Sequence, residues 1–148
     1  MESVLEIVRI KQVVKKRKAS HLLQAIRSPQ DAAEIIRREI GDEDREVFLV
    51  LVLNVKNEVI AIHRCHVGSL NASLVHPREV MKAAILNNGM SIIVAHNHPS
   101  GNCQQSPEDI EVTKRLADAG KLMGIELLDS IIVSGGLQFV SLRDKGFF

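Results

Sequence analysis

The stretch from Val94 to Asp109, VAHNHPSGNCQQSPED, gathers side chains that can hold a metal ion or move a proton. His96 and His98 stand two apart at the end of a short apolar run. Residues at that spacing on an extended chain project to the same side, so both imidazoles can address one ion. The loop from Pro99 to Gln105 then turns the chain back to deliver Asp109 from the start of the next helix. Two imidazoles and one carboxylate suit Zn²⁺, one per chain, with a fourth position left for water, which is the donor set of a catalytic rather than a structural site. A water bound to zinc ionises near about pH 7, so hydrolysis at neutral pH is the chemistry such a set implies.

That chemistry also needs a carboxylate to take the proton of the water and pass it to the leaving group. Glu46, just before the apolar run Val47 to Leu53, is placed to reach the end of a neighbouring strand, and Glu43 and Asp44 compete for the role until the register is known. Ser106 is the candidate donor to the oxyanion formed after attack. Each residue also has a plain structural use. Ser106 and Asp109 read as a capping box, His96 and His98 as a strand-end pair bonding loop backbone, and Glu46 as a solvated residue flanking a strand. The whole constellation favours a site, because it falls at the mouth of one strand-to-helix crossover, where α/β sheets bind ligands.

The elements that must position these residues alternate between strand and helix. Ser28, Pro29 and Asp31 open a helix through Ile40, and Gly41 stops it. Val47 to Leu53 and Val59 to Val67 read as a hairpin across the turn Asn54 to Glu58. Pro77 opens a second helix through about Asn87, Met90 to Ala95 is a buried strand, and Ser106 to Met123 a third helix ending at Gly124. Glu126 to Val133 and Leu137 to Leu142 close the chain as a second hairpin. The pattern predicts one α/β domain with a mixed sheet in two or three layers over residues 28–148. Residues 1–27 are an extension with an edge strand near Val4 to Ile10 and a basic segment.

His96, His98, Ser106 and Asp109 match in full the HxHx7SxxD signature, called JAMM, of the MPN+ zinc metallopeptidases. LVHPREV from Leu74, AHNHPSG from Ala95, SPED from Ser106 and GKLMGIELLDSIIV from Gly120 resemble the bacterial RadC family more closely, over about Asp44 to Phe148. The resemblance implies a cytidine-deaminase-like α/β fold, a mixed sheet flanked by helices. It further implies zinc held at His96, His98 and Asp109, a catalytic glutamate falling at Glu46 and an oxyanion-assisting role at Ser106. Longer members carry a helix-hairpin-helix region of the DNA-binding type, whereas the residues before Asp44 lack its glycine-bearing hairpins. Asn54 stands where the family commonly has Asp, Ser130 where it commonly has His, and Cys103 where proline is more usual.

Composition bounds the rest. The chain has 148 residues, 25% of them charged, and a formal net charge of +1, so one domain is the default. No apolar run approaches a membrane span and Glu2, Glu6 and Arg9 interrupt the N-terminus, so no membrane association, no signal peptide and a cytoplasmic location are expected. Cys65 and Cys103 are expected to be reduced, Cys103 being an incidental loop residue. Aromatic residues are 3% of the chain, all Phe, which argues against base-stacking platforms for single strands. Lys11, Lys15, Lys16, Arg17 and Lys18 form one basic patch, read as a solvated connector or as a weak, nonspecific DNA contact.

In HRCH, strand alternation is expected to split His63 and Cys65 from His66; His76 is expected to help cap helix two, and His21 belongs to the lead-in. Ser69, Asn71 and Ser73 lie in a stretch that either lines the cleft or simply turns into the helix. Two functions follow: a zinc-dependent hydrolase of a peptide or isopeptide bond in a protein substrate, and a DNA-associated accessory protein in repair or mobile-element biology. The zinc-deaminase pattern, HxE with PCxxC, is absent. Oligomeric state is left open, with a homodimer among the alternatives.

Overall fold

The computed structural model describes residues 1–18, 22, 24–69 and 75–148. His21, Asn71 and Ser73 lie outside the described residues. The elements run α1 (Pro29–Ile40), β1 (Val47–Leu53), β2 (Val59–Val67), α2 (Pro77–Leu86), β3 (Ser91–Asn97), α3 (Pro107–Met123), β4 (Glu126–Val133) and β5 (Phe139–Ser141). They build a sheet of order β2-β1-β3-β4-β5. Only β3 and β4 are parallel, joined by the crossover helix α3, and the other three pairs are antiparallel.

β1 and the Ile92–Ala95 part of β3 are apolar without alternation because both strands are buried on both faces. Leu49, Leu51, Ile93 and Ile131 meet Ala33, Ile36 and Ile40 of α1 on one face. Val50, Val52, Ile92 and Val94 meet Val80, Met81 and Ala84 of α2 and Val112 and Leu116 of α3 on the other. Three layers result. Ser28 accepts a hydrogen bond from the Asp31 amide to start α1, and Gly124, with φ of 70°, ends α3 in the left-handed conformation its sequence signals.

Four expectations need correction. Residues 1–18 form no strand: Val4, Leu5, Ile7, Val8 and Ile10 are exposed, and no strand of the sheet pairs with them. β3 begins at Ser91 and runs through Asn97, so His96 lies inside the ladder. His76 takes the N-cap position of α2 but its side chain makes no capping bond. In β2 the pairing slips between Phe48↔His66 and Leu49↔Arg64, leaving Cys65 as an extra residue. This bulge undoes the expected alternation. His63 opposite Val50 and His66 opposite Phe48 share the α2 face, where Cys65 also packs.

Candidate metal centre

The site forms where β3 ends and α3 begins. β3 lies between β1 and β4, with Phe48 opposite His96 and Ile132 on its other side. Phe48 and His96 stack with ring centroids 6.4 Å apart, and His96 is 3% exposed. The amide of His98 donates to the Val133 carbonyl at 2.9 Å, carrying the ladder one residue past the strand. Gly101, with φ of 88°, allows the following turn, where its amide meets the His98 carbonyl at 3.0 Å.

The sulfur of Cys103, 3.2 Å from the Gln138 carbonyl oxygen, fastens this loop to the β4–β5 hairpin. Cys103 is not among the residues whose donor atoms converge. Ser106 then caps α3, and its hydroxyl accepts from the Asp109 amide at 3.1 Å while Asp109 Oδ2 accepts from the Ser106 amide at 2.8 Å. The capping box and the His–His–Asp cluster thus share Asp109. The cap holds Oδ2, and Oδ1 lies 3.0 Å from His96 Nε2.

The donor atoms converge. His96 Nε2 and His98 Nε2 are 3.0 Å apart, and His98 Nε2 is 3.4 Å from Asp109 Oδ2. Around a tetrahedral zinc with ligands at 2.0–2.1 Å, neighbouring donors would be about 3.3 Å apart, so these spacings fit such an ion with little adjustment. Nδ1 of His98 lies 2.7 Å from the Asn102 carbonyl oxygen, which accepts its proton and leaves Nε2 as the ligating atom. Among the described residues this is the one group of three His, Cys, Asp or Glu side chains able to hold a metal ion.

Electrostatics follow from the packing. Burial alone would push the Asp109 carboxyl up, but hydrogen bonds with His96 and His98 and with the Ser106 amide outweigh it, holding the group well below the usual carboxylate range. His98 is raised above the ordinary histidine value, first by its hydrogen bond to Asp109 against the cost of burial, then by the Asn102 carbonyl and the charges of Asp109 and Glu46.

That influence places Glu46, half-buried before β1, within electrostatic reach of the cluster, whereas Glu43 and Asp44 are exposed. Arg17 leaves the basic patch for the body of the domain, its guanidinium meeting both oxygens of buried Glu39 at 2.9 and 3.1 Å. Lys11, Lys15, Lys16 and Lys18 are exposed. Two of the exceptional positions have structural uses: Asn54 organises the β1–β2 turn, and Ser130 accepts from Thr113 of α3 at 2.8 Å.

Sequence reasoning passed over Asn97 between the two histidines. It is 1% exposed, and its side chain accepts from the Val47 amide at 2.7 Å and donates to the carbonyls of Arg45 at 2.9 Å and Glu43 at 3.3 Å. The signal was available. In a strand, the residue between two same-facing ligands points to the opposite face, and a polar one there needs partners.

Fold and cluster together define a single α/β domain, with a mixed five-stranded sheet and three helices among the described residues, built around a His–His–Asp group suited to one metal ion. Residues 26–147 match the family model described as RadC-like JAB domain, and the chain belongs to that family. It is 54% identical over 123 residues to a UPF0758 protein of Shouchella clausii, covering 83% of this chain and 53% of that protein. A UPF0758 protein of Caldanaerobacter subterraneus subsp. tengcongensis is 48% identical over 124 residues, 84% of this chain and 53% of the relative. One from Geobacillus sp. strain WCH70 is 52% identical over 122 residues, 82% and 54% of the two chains. The chain thus spans about half the length of these curated relatives. No helix among the described residues is long and apolar enough to cross a membrane.

Proposed function

We propose that the chain is a zinc-dependent metallohydrolase that cleaves a peptide or isopeptide bond in a protein substrate. The observation that carries this reading is the convergence of His96 Nε2, His98 Nε2 and the Asp109 carboxylate at one strand-to-helix crossover. When bound there, zinc supplies a Lewis acid for the attacked carbonyl and brings the ionisation of a water into the neutral range. Glu46 takes the proton of the attacking water and returns it to the leaving amine. The Ser106 hydroxyl, which accepts from the Asp109 amide, still has its own proton to donate to the developing oxyanion. Asn102 holds the His98 tautomer.

The test is the metal content of protein purified without added metal, compared with a His96→Ala, His98→Ala double variant, followed by a screen of peptide and isopeptide substrates with Glu46→Gln. About one zinc per chain, lost in the double variant, is expected. Cleavage should disappear in Glu46→Gln while the metal stays. Absence of zinc from the unaltered chain, or full cleavage by Glu46→Gln, would overturn the reading.

The exposed Lys11, Lys15, Lys16 and Lys18 favour a second reading, a DNA-associated accessory protein. Its binding would be nonspecific and fall steeply with salt. Unchanged DNA affinity after removal of residues 1–18 would dismiss it.

A further inference from the structure

The segment carrying Glu46 has little regular structure to hold it. Residues 42–46 lie between α1 and β1, outside both elements. The β1–β3 pairing ends at Phe48↔His96. Continuing that antiparallel register sets Val47 opposite Asn97 and Glu46 opposite His98, and directly opposed residues share a face of the sheet. At Val47 the side chain of Asn97 extends the pairing: its Oδ1 accepts the Val47 amide at 2.7 Å. Its Nδ2 then reaches back to the carbonyls of Arg45 and Glu43, so one buried amide grips the chain on both sides of Glu46. The Glu46 carbonyl is held separately by the Gly68 amide at 2.8 Å.

We propose that Asn97 is a positioning residue that sets Glu46 against the ligand His98, coupling the strand that carries the histidines to the segment that carries the base. The proposal rests on the hydrolase reading of the site. Asn suits the task because one side chain supplies an acceptor and two donor hydrogens. Aspartate would keep the acceptor for Val47 but present oxygens to the Arg45 and Glu43 carbonyls, and alanine would release all three bonds.

The experiment uses the full chain loaded with Co²⁺, with Asn97→Ala and Asn97→Asp beside the unaltered protein. It reads cobalt stoichiometry, the visible spectrum of the ion, amide pseudocontact shifts and amide hydrogen exchange. In Asn97→Ala the stoichiometry and visible spectrum should persist, because no ligand is touched. The pseudocontact shifts of the Glu46 and Val47 amides should change while those of Ser106 and Asp109 hold, and exchange at Val47 should rise about tenfold, the factor that one net hydrogen bond carries. Asn97→Asp should restore protection at Val47 without returning the Glu46 shift to its original value; being milder, it also serves as the test should Asn97→Ala fail to fold.

A Glu46 shift unchanged in Asn97→Ala, or Ser106 and Asp109 shifts moving together with it, would overturn the positioning role with the metal site intact. Failure of the unaltered chain to take up cobalt would instead overturn the hydrolase reading, and the positioning role with it.

Discussion

Ser106 and Asp109 hold each other across the first turn of α3, each side chain accepting the other's backbone amide. Only the Ser106 hydroxyl is lost in Ser106→Ala, because the bond from its amide to Asp109 Oδ2 survives. The cap should cost about 1 kcal/mol of stability, read by urea denaturation, while metal affinity stays within about tenfold of its original value. Asp109→Asn should abolish metal uptake. Loss of metal in Ser106→Ala would show that the hydroxyl, rather than the amide, orients the ligand.

Metal uptake should depend on pH through His98. A raised folded value stabilises the metal-free fold below the ordinary histidine value of 6.5, and that contribution is lost as pH rises through the folded value. Asp109 has the opposite sign: its contribution is present above the ordinary value of 3.8 and is lost only as pH falls through its depressed folded value, so it stays ionised throughout the neutral range. A metal ion competes with the His98 proton. Apparent affinity should therefore climb as pH rises above about 6.5, with up to about one proton released per ion. Calorimetry in two buffers of different ionisation enthalpy measures that release, and a pH-independent affinity across this window would contradict it.

Gly120 should respond to alanine against its helix propensity. Ala is favoured over Gly inside a helix by about 1 kcal/mol. Here a Cβ would meet the Ile125 carbonyl oxygen well inside contact distance, where α3 turns into β4. Gly120→Ala should destabilise the fold by about 1–3 kcal/mol. A raised melting temperature would mean that the turn yields without strain.

Both thiols should react slowly in the folded chain. Burial pushes Cys65 up, the Glu79 charge adds to it and Lys82 opposes, while Cys103 is 5% exposed. Alkylation at pH 8 should be at least about tenfold slower than in urea at both positions, at Cys65 because the thiolate is the reacting form and at Cys103 because burial bars the reagent. Mapping the modified cysteines by mass spectrometry checks this, and rapid labelling of Cys103 would mean that its loop opens readily.

What could be read from sequence was what is local or repeated. The unbroken apolar runs at Val47–Leu53 and Ile92–Ala95 announced strands, and a proline at each helix start, with a serine before it in α1 and α3, marked the boundaries. The convergence of His96, His98 and Asp109 was legible because strand spacing and helix capping fix two of its parts independently.

The misreadings arose where a distant partner decides. Alternation in HRCH fails because pairing with β1 forces an extra residue at Cys65. Period-two apolar residues at Val4 to Ile10 remain outside the sheet although β2 and β5 are its edges, so the pattern alone does not place a strand. Asn97 went unnoticed because its partners lie about fifty residues earlier in the chain.

The placement of the ligands within one strand-loop-helix segment also bears on the order of assembly. His96, His98 and Asp109 need only β3 and the first turn of α3, so an ion can bridge them by closing a short loop, at small entropic cost. Glu46 arrives from much earlier in the chain and joins only when β1 docks beside β3. Refolding with metal present is accordingly expected to run faster than without it, as stopped-flow mixing would register. On the proposed reading, capture of an ion along that route would precede the docking of the strand that follows Glu46.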